Sequence, residues 1–158
     1  MSSPVIEFVC WGNICRSPMA ERVAQAWAQR EHLTGVTFTS AGVSNVEAGK
    51  PIDERAAEVL RAAGYRADGH SAHRITPEEI RTASMLIGME QLHLDRIKQM
   101  VPGVHHLYLL SNFDRNAVPG SGIPDPWYGT AEGFNETLTA IEAAMPEVMR
   151  RARELIRR

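Results

Sequence analysis

Short apolar runs alternate with longer segments of helical periodicity along this chain, and the alternation limits the folds it can adopt. The apolar runs occupy residues 5–9, 36–40, 84–88 and 105–110. Each run has the length of a strand, and each intervening segment is long enough to contain a crossover helix. Strands that are apolar throughout are typical of a parallel sheet with helices on both faces. The pattern therefore predicts an α/β fold with a central four-stranded parallel sheet.

The first predicted helix follows the first strand closely. Ser17 is a plausible N-cap residue, and Pro18 suits the first helical position. The apolar residues after them recur at the spacing of one helix face and are Ala20, Val23, Ala24, Trp27 and Ala28. The loop of residues 10–16 therefore lies between the first strand and the first helix.

Three further helices are predicted from the same kind of spacing. One covers residues 52–64 and ends on Gly64, one covers residues 89–100, and the last begins near residue 131. Pro146 lies inside the last helix and is expected to kink or divide it.

Composition predicts an ordinary globular protein and disfavours several classes of partner. The chain has 158 residues, of which 44% are hydrophobic and 23% charged, and its formal net charge is -2. This length predicts one domain over residues 1–158, with a core large enough to need no disulfide or structural metal. The small net charge gives no electrostatic basis for nucleic-acid binding. Since no basic leader or long apolar stretch is evident, we expect no membrane partner and a cytoplasmic location.

The segment VCWGNICRSP, residues 9–18, has the features of an anion-binding loop. Parallel sheets bind ligands at the carboxyl ends of their strands, and a helix N-terminus adds about half a positive charge. Gly12 permits close backbone approach, and Asn13 tolerates the positive φ that shapes a nest of N–H groups. Arg16 adds a planar guanidinium that binds two phosphate oxygens at once. We therefore expect inorganic phosphate or another oxyanion to bind the loop, whose lining residues are Trp11, Gly12, Asn13, Ile14, Cys15 and Ser17.

Cys10 turns this predicted binding loop into a candidate catalytic site. The N–H groups and guanidinium that attract phosphate also stabilise a thiolate, so we expect the thiol to be ionised at neutral pH. Such a thiolate attacks phosphorus and gives a phosphocysteine that water hydrolyses. A cysteine after a strand is otherwise most often a small buried hydrophobic residue. The C-x5-R-S spacing to Arg16 and Ser17 favours the catalytic interpretation.

A phosphate ester also needs a proton donor for its leaving group, usually a carboxylic acid on a loop. In GIPDPWYG, Asp125 stands between two prolines, and Trp127 and Tyr128 follow as apolar walls for a phenyl ring. Asp114 in NFDRN is a rival, because aspartate is common in turns. The local sequence favours Asp125 only slightly.

The residues resemble the low-molecular-weight protein tyrosine phosphatases. The specific matches are VCWGNICRSPMAE from residue 9 and DPWYG from residue 125, and further matches are TSAG and DERAAEVLRAAGY. The resemblance implies that Cys10 is the nucleophile, Arg16 the phosphate clamp and Asp125 the acid. It also implies tyrosine-phosphorylated proteins as substrates, with no cofactor and no metal.

The resemblance implies roles for several supporting residues. In the family, a serine and a histidine hold the loop asparagine in a strained geometry, and they map onto Ser40 and His70 beside Asn13. Ser17 then hydrogen-bonds the nucleophile's sulfur. Cys15 takes the place of the family's second loop cysteine, which implies a reversible disulfide with Cys10 on oxidation.

The chain departs from the family's pattern at the walls of the cleft. Many members carry an aromatic residue after SAG, where this chain has only Val46 beside Glu47. Trp11 is bulkier than the family's usual residue after the nucleophile. Its indole could replace part of the missing wall or could equally block the rim of the cleft.

Three other functions compete with phosphatase activity. A related arsenate reductase shares the C-x5-R loop but needs further cysteines, and this chain has none beyond Cys15. A zinc site formed by Cys10, Cys15, His70 and His73 has unspecific spacing, and Arg16 would repel the cation. A phosphate-binding module without turnover would not need a nucleophile and an acid.

His32 and His93 lie on predicted helices and are expected at the surface.

Overall fold

The computed structural model describes residues 3–158 and contains one sheet of four parallel strands. The strands lie in the order β2-β1-β3-β4 and are β1 (Val5–Cys10), β2 (Thr37–Gly42), β3 (Met85–Gly88) and β4 (Leu107–Leu109). The helices are α1 (Arg16–Arg30), α2 (Glu54–Ala62), α3 (Pro77–Thr82), α4 (Gln91–Met100) and α5 (Glu132–Arg157). The predicted α/β fold is confirmed.

Alternating side chains of the central strand β1 divide the core in two. Ile6 and Phe8 are fully buried in a cluster that includes apolar residues of α1, α2 and α5. Val9 points to the opposite face, where α3 and α4 supply Ile80 and Leu94. Since both faces are covered, the loop after β1 is anchored from two sides.

The start of α1 differs from the sequence prediction. The helix begins at Arg16, one residue before Ser17, and its N-cap residue is Cys15, which makes no capping hydrogen bond with its side chain. The Ser17 hydroxyl is 3.0 Å from the sulfur of Cys10 instead. Ser17 therefore serves the loop rather than the helix end.

The remaining helices follow the prediction with shifted bounds. The side chain of Asp53 caps α2 by accepting from the N–H groups of Arg55 and Ala56. The last helix, α5, continues across Pro146 and is not divided. Its neighbours Met145 and Met149 are fully buried, so tertiary packing outweighs the hydrogen bond that proline cannot make. Within residues 3–158, no helix combines the length and apolar character needed to cross a membrane.

The short helix α3 was not predicted, although the sequence carries its signal. Thr76 and Glu79 form a reciprocal capping box, and Pro77 occupies the first turn. The pattern T-x-x-E is typical of a helix N-terminus. The helix places Glu79 against β1, on the face of the sheet that α4 also covers.

Candidate active site

A cleft of about 190 Å³ lies at the carboxyl end of β1. The loop between β1 and α1 forms its floor and, at Trp11, part of a wall, and two other loops supply the remaining walls. The lining residues are Cys10, Trp11, Ile14, Cys15, Arg16, Val46, Glu47, Asp125, Trp127 and Tyr128. The cleft thus joins the sequence-predicted nucleophile, guanidinium and acid in one place.

The loop backbone presents N–H groups that the protein itself does not use. Asn13 has a φ of 62°, the left-handed conformation that asparagine tolerates better than most residues. Within residues 3–158, the N–H groups of residues 11–15 donate no hydrogen bond. Since the loop leads into the N-terminus of α1, these donors suit an anion such as phosphate.

The Asn13 side chain and carbonyl hold the loop in this shape. Its amide Nδ2 donates to the hydroxyls of Ser17, at 2.8 Å, and Ser40, at 3.0 Å. Its Oδ1 accepts from the backbone N–H of His73 at 3.1 Å, and its carbonyl accepts from His70 Nε2 at 2.7 Å. Burial lowers the pKa of His70, which keeps this ring neutral. The sequence-predicted support residues therefore surround Asn13, and the His73 backbone joins them.

Cys10 lies at the base of the cleft with 3% of its surface exposed. Its Sγ is 3.0 Å from the hydroxyl oxygen of Ser17. Because Ser17 already accepts from Asn13, its own proton is available to the sulfur or to the carbonyl of Ala41, which is 3.3 Å away. A hydroxyl in this position stabilises a thiolate.

Arg16 is buried and its guanidinium is held from several sides. Nη1 donates to the carboxylate of Glu90 and, at 2.7 Å, to the carbonyl of Ile123. Nη2 lies 3.5 Å from Asp125 Oδ2. Fixing a flexible side chain in this way reduces the entropy lost when it binds phosphate.

His93 is a correction to the sequence analysis, which expected it at the surface. Its side chain is fully buried, and its Nδ1 accepts from the backbone N–H of Glu90 at 3.0 Å. Its Nε2 lies 3.5 Å from Arg16 Nη2. Burial, together with the neighbouring Arg16 charge, lowers the pKa of His93 to about 3, so the ring stays neutral. The sequence also missed Glu90, and the available signal was the pair E-x-x-H at the start of α4.

Asp125 lies in the cleft, whereas its rival Asp114 does not line it. Asp125 Oδ1 accepts from the N–H of Trp127 at 3.0 Å, and this bond caps a 3-10 turn over Pro126–Tyr128. Asp114 accepts from the N–H of Asn116 at 2.9 Å, as an aspartate in a turn commonly does. The geometry therefore favours Asp125 as the acid.

Aromatic side chains form the walls above the loop. Trp11 is 38% exposed and Trp127 is 40% exposed, and both line the cleft. Each carries a guanidinium over its ring at 5.0 Å, from Arg96 and Arg55 respectively. Tyr128 is 91% exposed at the rim. Trp11 therefore lies in the lining of the cleft, and its replacement of the missing aromatic wall stays a prediction.

Close backbone packing is required at Gly42, a position that the sequence analysis did not single out. A Cβ there would lie 2.7 Å from the carbonyl oxygen of Trp11, so only glycine fits beside the loop. At Gly12, a Cβ would meet only the flexible side chain of Glu47, at 3.1 Å. The end of β2 therefore supports the loop through its backbone.

Cys15 is buried in the same loop and differs from Cys10 in its surroundings. Burial, with a smaller effect of the Asp53 charge, raises the pKa of its thiol far above the ordinary value. Both cysteines are free thiols. Cys15 therefore stays protonated and is not a competing nucleophile.

Comparison with known proteins identifies the family. Residues 5–157 match the family described as "Low molecular weight phosphotyrosine protein phosphatase". The chain belongs to this family. Low molecular weight protein-tyrosine phosphatase A of Mycobacterium tuberculosis is 40% identical over 149 residues, which cover 92% of this chain and 90% of that protein. A low molecular weight protein-tyrosine-phosphatase of Streptomyces coelicolor is 33% identical over 154 residues, covering 94% and 93%.

Solved structures of the low-molecular-weight phosphatase family share the fold. A protein tyrosine phosphatase from Entamoeba histolytica, crystallised with Hepes in its active site, superposes with a TM-score of 0.90 at 26% identity. The match covers 96% of this chain and 98% of that chain. The resemblance inferred from VCWGNICRSP and DPWYG is confirmed, and the arsenate reductase alternative is not favoured.

The zinc site considered in the sequence analysis is not assembled. His70 points to the loop carbonyl of Asn13, and the His73 side chain points to Glu79. Among residues 3–158, the ligand-type side chains that come together are Glu7, His73 and Glu79, which do not include either cysteine.

Proposed function

We propose that this protein hydrolyses phosphotyrosine in protein substrates, and aryl phosphates in general, through a phosphocysteine intermediate. The observation that carries the proposal is the convergence of Cys10, Arg16 and Asp125 on one cleft above unused loop N–H groups. Membership of the phosphatase family supports the same activity. No metal or cofactor has a role in the proposed reaction.

In the first step, the phosphate group of the substrate binds the loop N–H groups and the Arg16 guanidinium. The Cys10 thiolate attacks phosphorus in line with the ester oxygen, and a P–S bond forms as the P–O bond breaks. The Asp125 carboxylic acid gives its proton to the departing phenolate. Loop donors stabilise the charge on the three equatorial oxygens, which are also held by Arg16.

In the second step, the Asp125 carboxylate takes a proton from a water molecule as this water attacks phosphorus. The P–S bond breaks, and the Ser17 hydroxyl stabilises the sulfur as it regains its negative charge. Inorganic phosphate leaves, and Asp125 is protonated for another cycle. The enzyme thus returns to its starting state, with a Cys10 thiolate and a protonated Asp125.

The preference for tyrosine phosphate is supported by the shape of the cleft. Cys10 lies at its base, and Trp11, Trp127 and Tyr128 stand along its walls. A long flat side chain brings its phosphate to the sulfur between these rings, whereas phosphoserine is too short to do so. The experiment is phosphate release from matched peptides that contain phosphotyrosine, phosphoserine or phosphothreonine. Comparable rates on all three peptides would contradict the proposal.

The arsenate reductase alternative is tested in the same preparation. We expect arsenate reduction at background in the presence of a thiol reductant, and vanadate inhibition that a chelator does not change. Sustained arsenate reduction would favour the alternative.

We also propose reversible oxidation of the site. Oxidation of Cys10 to a sulfenic acid, followed by attack of the Cys15 thiol, gives a disulfide and water. Peroxide treatment is expected to inactivate the enzyme, and dithiothreitol to restore it. Cys15→Ser is expected to lose this recovery. A cytoplasmic location and the absence of nucleic-acid or membrane partners stay predictions from the sequence.

A further inference from the structure

A second group of chemically active side chains lies outside the cleft, behind the phosphate loop. Glu7 belongs to β1, His73 to the segment between α2 and α3, and Glu79 to α3. His73 Nε2 and Glu79 Oε2 are 2.8 Å apart. One nitrogen or oxygen atom from each of the three side chains lies within 4.8 Å of the others.

The burial of Glu7 is the unusual feature of this group. Only 2% of its surface is exposed, and its carboxyl contacts that of Glu79 rather than a basic side chain. Opposite Glu7 on β2, the hydroxyl oxygen of Thr39 is buried, makes no well-aligned hydrogen bond among residues 3–158, and lies close enough to the Glu7 carboxyl to lower the pKa of that group. A buried carboxyl beside another carboxyl requires either a proton or a cation between them. The Thr39 oxygen is a further polar atom at the same place.

In the absence of a cation, a proton on one of the two carboxyls prevents repulsion between them. Burial, and next the contact with Glu79, raise the pKa of Glu7 to about 9, and Glu21 on α1 adds to the effect. For Glu79, hydrogen bonds from His73 and Glu7 outweigh burial and lower the pKa to about 2. One proton is therefore held between the two carboxyls, on the side of Glu7.

We propose that Glu7, His73 and Glu79 form a zinc-binding site. Two carboxylate oxygens and one imidazole nitrogen are ligands that Zn²⁺ accepts, with bonds of about 2.0–2.2 Å and water in the fourth position. Ligand atoms around a tetrahedral ion lie roughly 3.4 Å apart. The side chains of His73 and Glu79 are 46% and 28% exposed, so they have room to adjust and to admit the ion from solvent. On binding, Zn²⁺ displaces the carboxyl proton of Glu7, which is released to water. It also displaces the proton between His73 Nε2 and Glu79, which leaves an imidazolium for water or moves to Nδ1 of a neutral ring.

The site connects elements that hold the phosphate loop. Glu7 lies on the strand that ends at Cys10, and the backbone N–H of His73 donates to Asn13 Oδ1. The carbonyl of His73 also accepts from the N–H of Gly42 at 2.9 Å. A cation bound by all three side chains ties these segments together and stabilises the folded protein.

The experiment measures Zn²⁺ binding to the full chain by calorimetry and the melting temperature with and without Zn²⁺. Cys10→Ser is used as the background, because a reactive thiolate in the cleft also binds zinc. We expect one Zn²⁺ per chain and a higher melting temperature in its presence. Glu7→Gln and Glu79→Gln are each expected to weaken binding by at least about tenfold. Glu78→Gln is the matched control for Glu79→Gln, since it removes the same charge from an exposed neighbour in α3 and should bind zinc unchanged.

Glu7→Gln is the deciding variant. Glutamine has the shape and neutrality of protonated Glu7, so the apo protein is expected to fold, and its circular dichroism spectrum checks this. If the Cys10→Ser protein binds no Zn²⁺, or if Glu7→Gln leaves its affinity unchanged, the proposal is overturned. If Glu79→Gln does not fold, Glu7→Gln and His73→Gln provide the test.

Discussion

The phosphate loop and the acid-bearing loop face each other across one cleft, but they are built differently. Asn13 and Ser17 are fully buried, and Arg16 is 2% exposed and donates hydrogen bonds to Glu90 and to the carbonyl of Ile123. In the opposite loop, the Asp125 side chain is 36% exposed, and Tyr128 extends into solvent. One side of the cleft is fixed before a substrate arrives, and the other is held by few contacts.

This difference separates two requirements of the proposed reaction. Charge developing on the phosphoryl group is stabilised best by donors that need no rearrangement. The acid and the aromatic rim must instead accommodate leaving groups of different shape and acidity. Substitutions in the phosphate loop should therefore affect all substrates alike, and those in the acid loop should depend on the substrate.

The largest effect is expected for Cys10→Ser. Removing the nucleophile should lower kcat by at least about 10⁴-fold on every substrate, because no other side chain forms the covalent intermediate. Vanadate or phosphate binding, measured by calorimetry, should persist because the loop N–H groups and Arg16 remain. Turnover near the wild-type rate would refute the assigned nucleophile.

Arg16→Lys should reduce kcat/KM by about 10²–10³-fold, again for all substrates. Lysine keeps the charge but cannot bind two phosphate oxygens and Glu90 in one plane. Steady-state kinetics with two aryl phosphates of different leaving-group acidity measures the effect. A loss confined to one of the two aryl phosphates would contradict the proposed difference between the phosphate loop and the acid-bearing loop.

Asp125→Asn should lower kcat by about 10²-fold for phenols of high pKa and by less for acidic phenols, which leave without a proton. Asp114→Asn is the matched control and should leave the rates unchanged. Kinetics across a series of substituted phenyl phosphates gives the dependence. An equal loss for every phenol would argue against a proton donor at this position.

Asn13→Ala tests how far the rigidity of the phosphate loop matters. The substitution removes three hydrogen bonds of the side chain and places alanine at a φ of 62°. We expect a loss of about 2–3 kcal/mol in the free energy of unfolding and roughly tenfold in kcat. Urea denaturation and kinetics measure both, with the exposed Asn135→Ala as control. An unchanged stability would show that other contacts hold the loop.

The smallest effect is expected for Tyr128→Ala at the exposed rim. KM for a phosphotyrosine peptide should rise roughly threefold with kcat retained, because the ring contacts substrate without touching the reacting atoms. Tyr128→Phe keeps the ring and should behave as wild type. A fall in kcat would mean that the rim takes part in the chemical step.

The same division explains what the sequence could predict. The phosphate loop is local: Cys10, Asn13, Arg16 and Ser17 lie within eight positions, and their spacing is itself the geometric requirement of the chemistry. The sheet could be predicted because its strands are buried on both faces and are apolar throughout. The local sequence favoured Asp125 over Asp114 only slightly, since both sit in turns, and the family resemblance made the assignment.

The partners of Arg16 could not be predicted from the sequence, for a different reason. Glu90 and His93 are 74 and 77 positions away along the chain, and a charged or polar residue in a helix ordinarily faces water. Only the crossover that places α4 beside β3 makes them buried neighbours of the guanidinium. Ser17 has the residue type of an N-cap, so the local sequence assigns it to the helix end. The family resemblance instead predicts that its hydroxyl contacts sulfur, and the structure has this contact.

The most direct test is to find the phosphoryl group on the enzyme during turnover. Wild-type protein is mixed rapidly with an aryl phosphate, quenched in acid and analysed by mass spectrometry of its peptides. We predict phosphate on Cys10, formed and lost at rates consistent with kcat, and none in Cys10→Ser. Turnover without any phosphorylated cysteine, or phosphate found on Cys15, would contradict the mechanism.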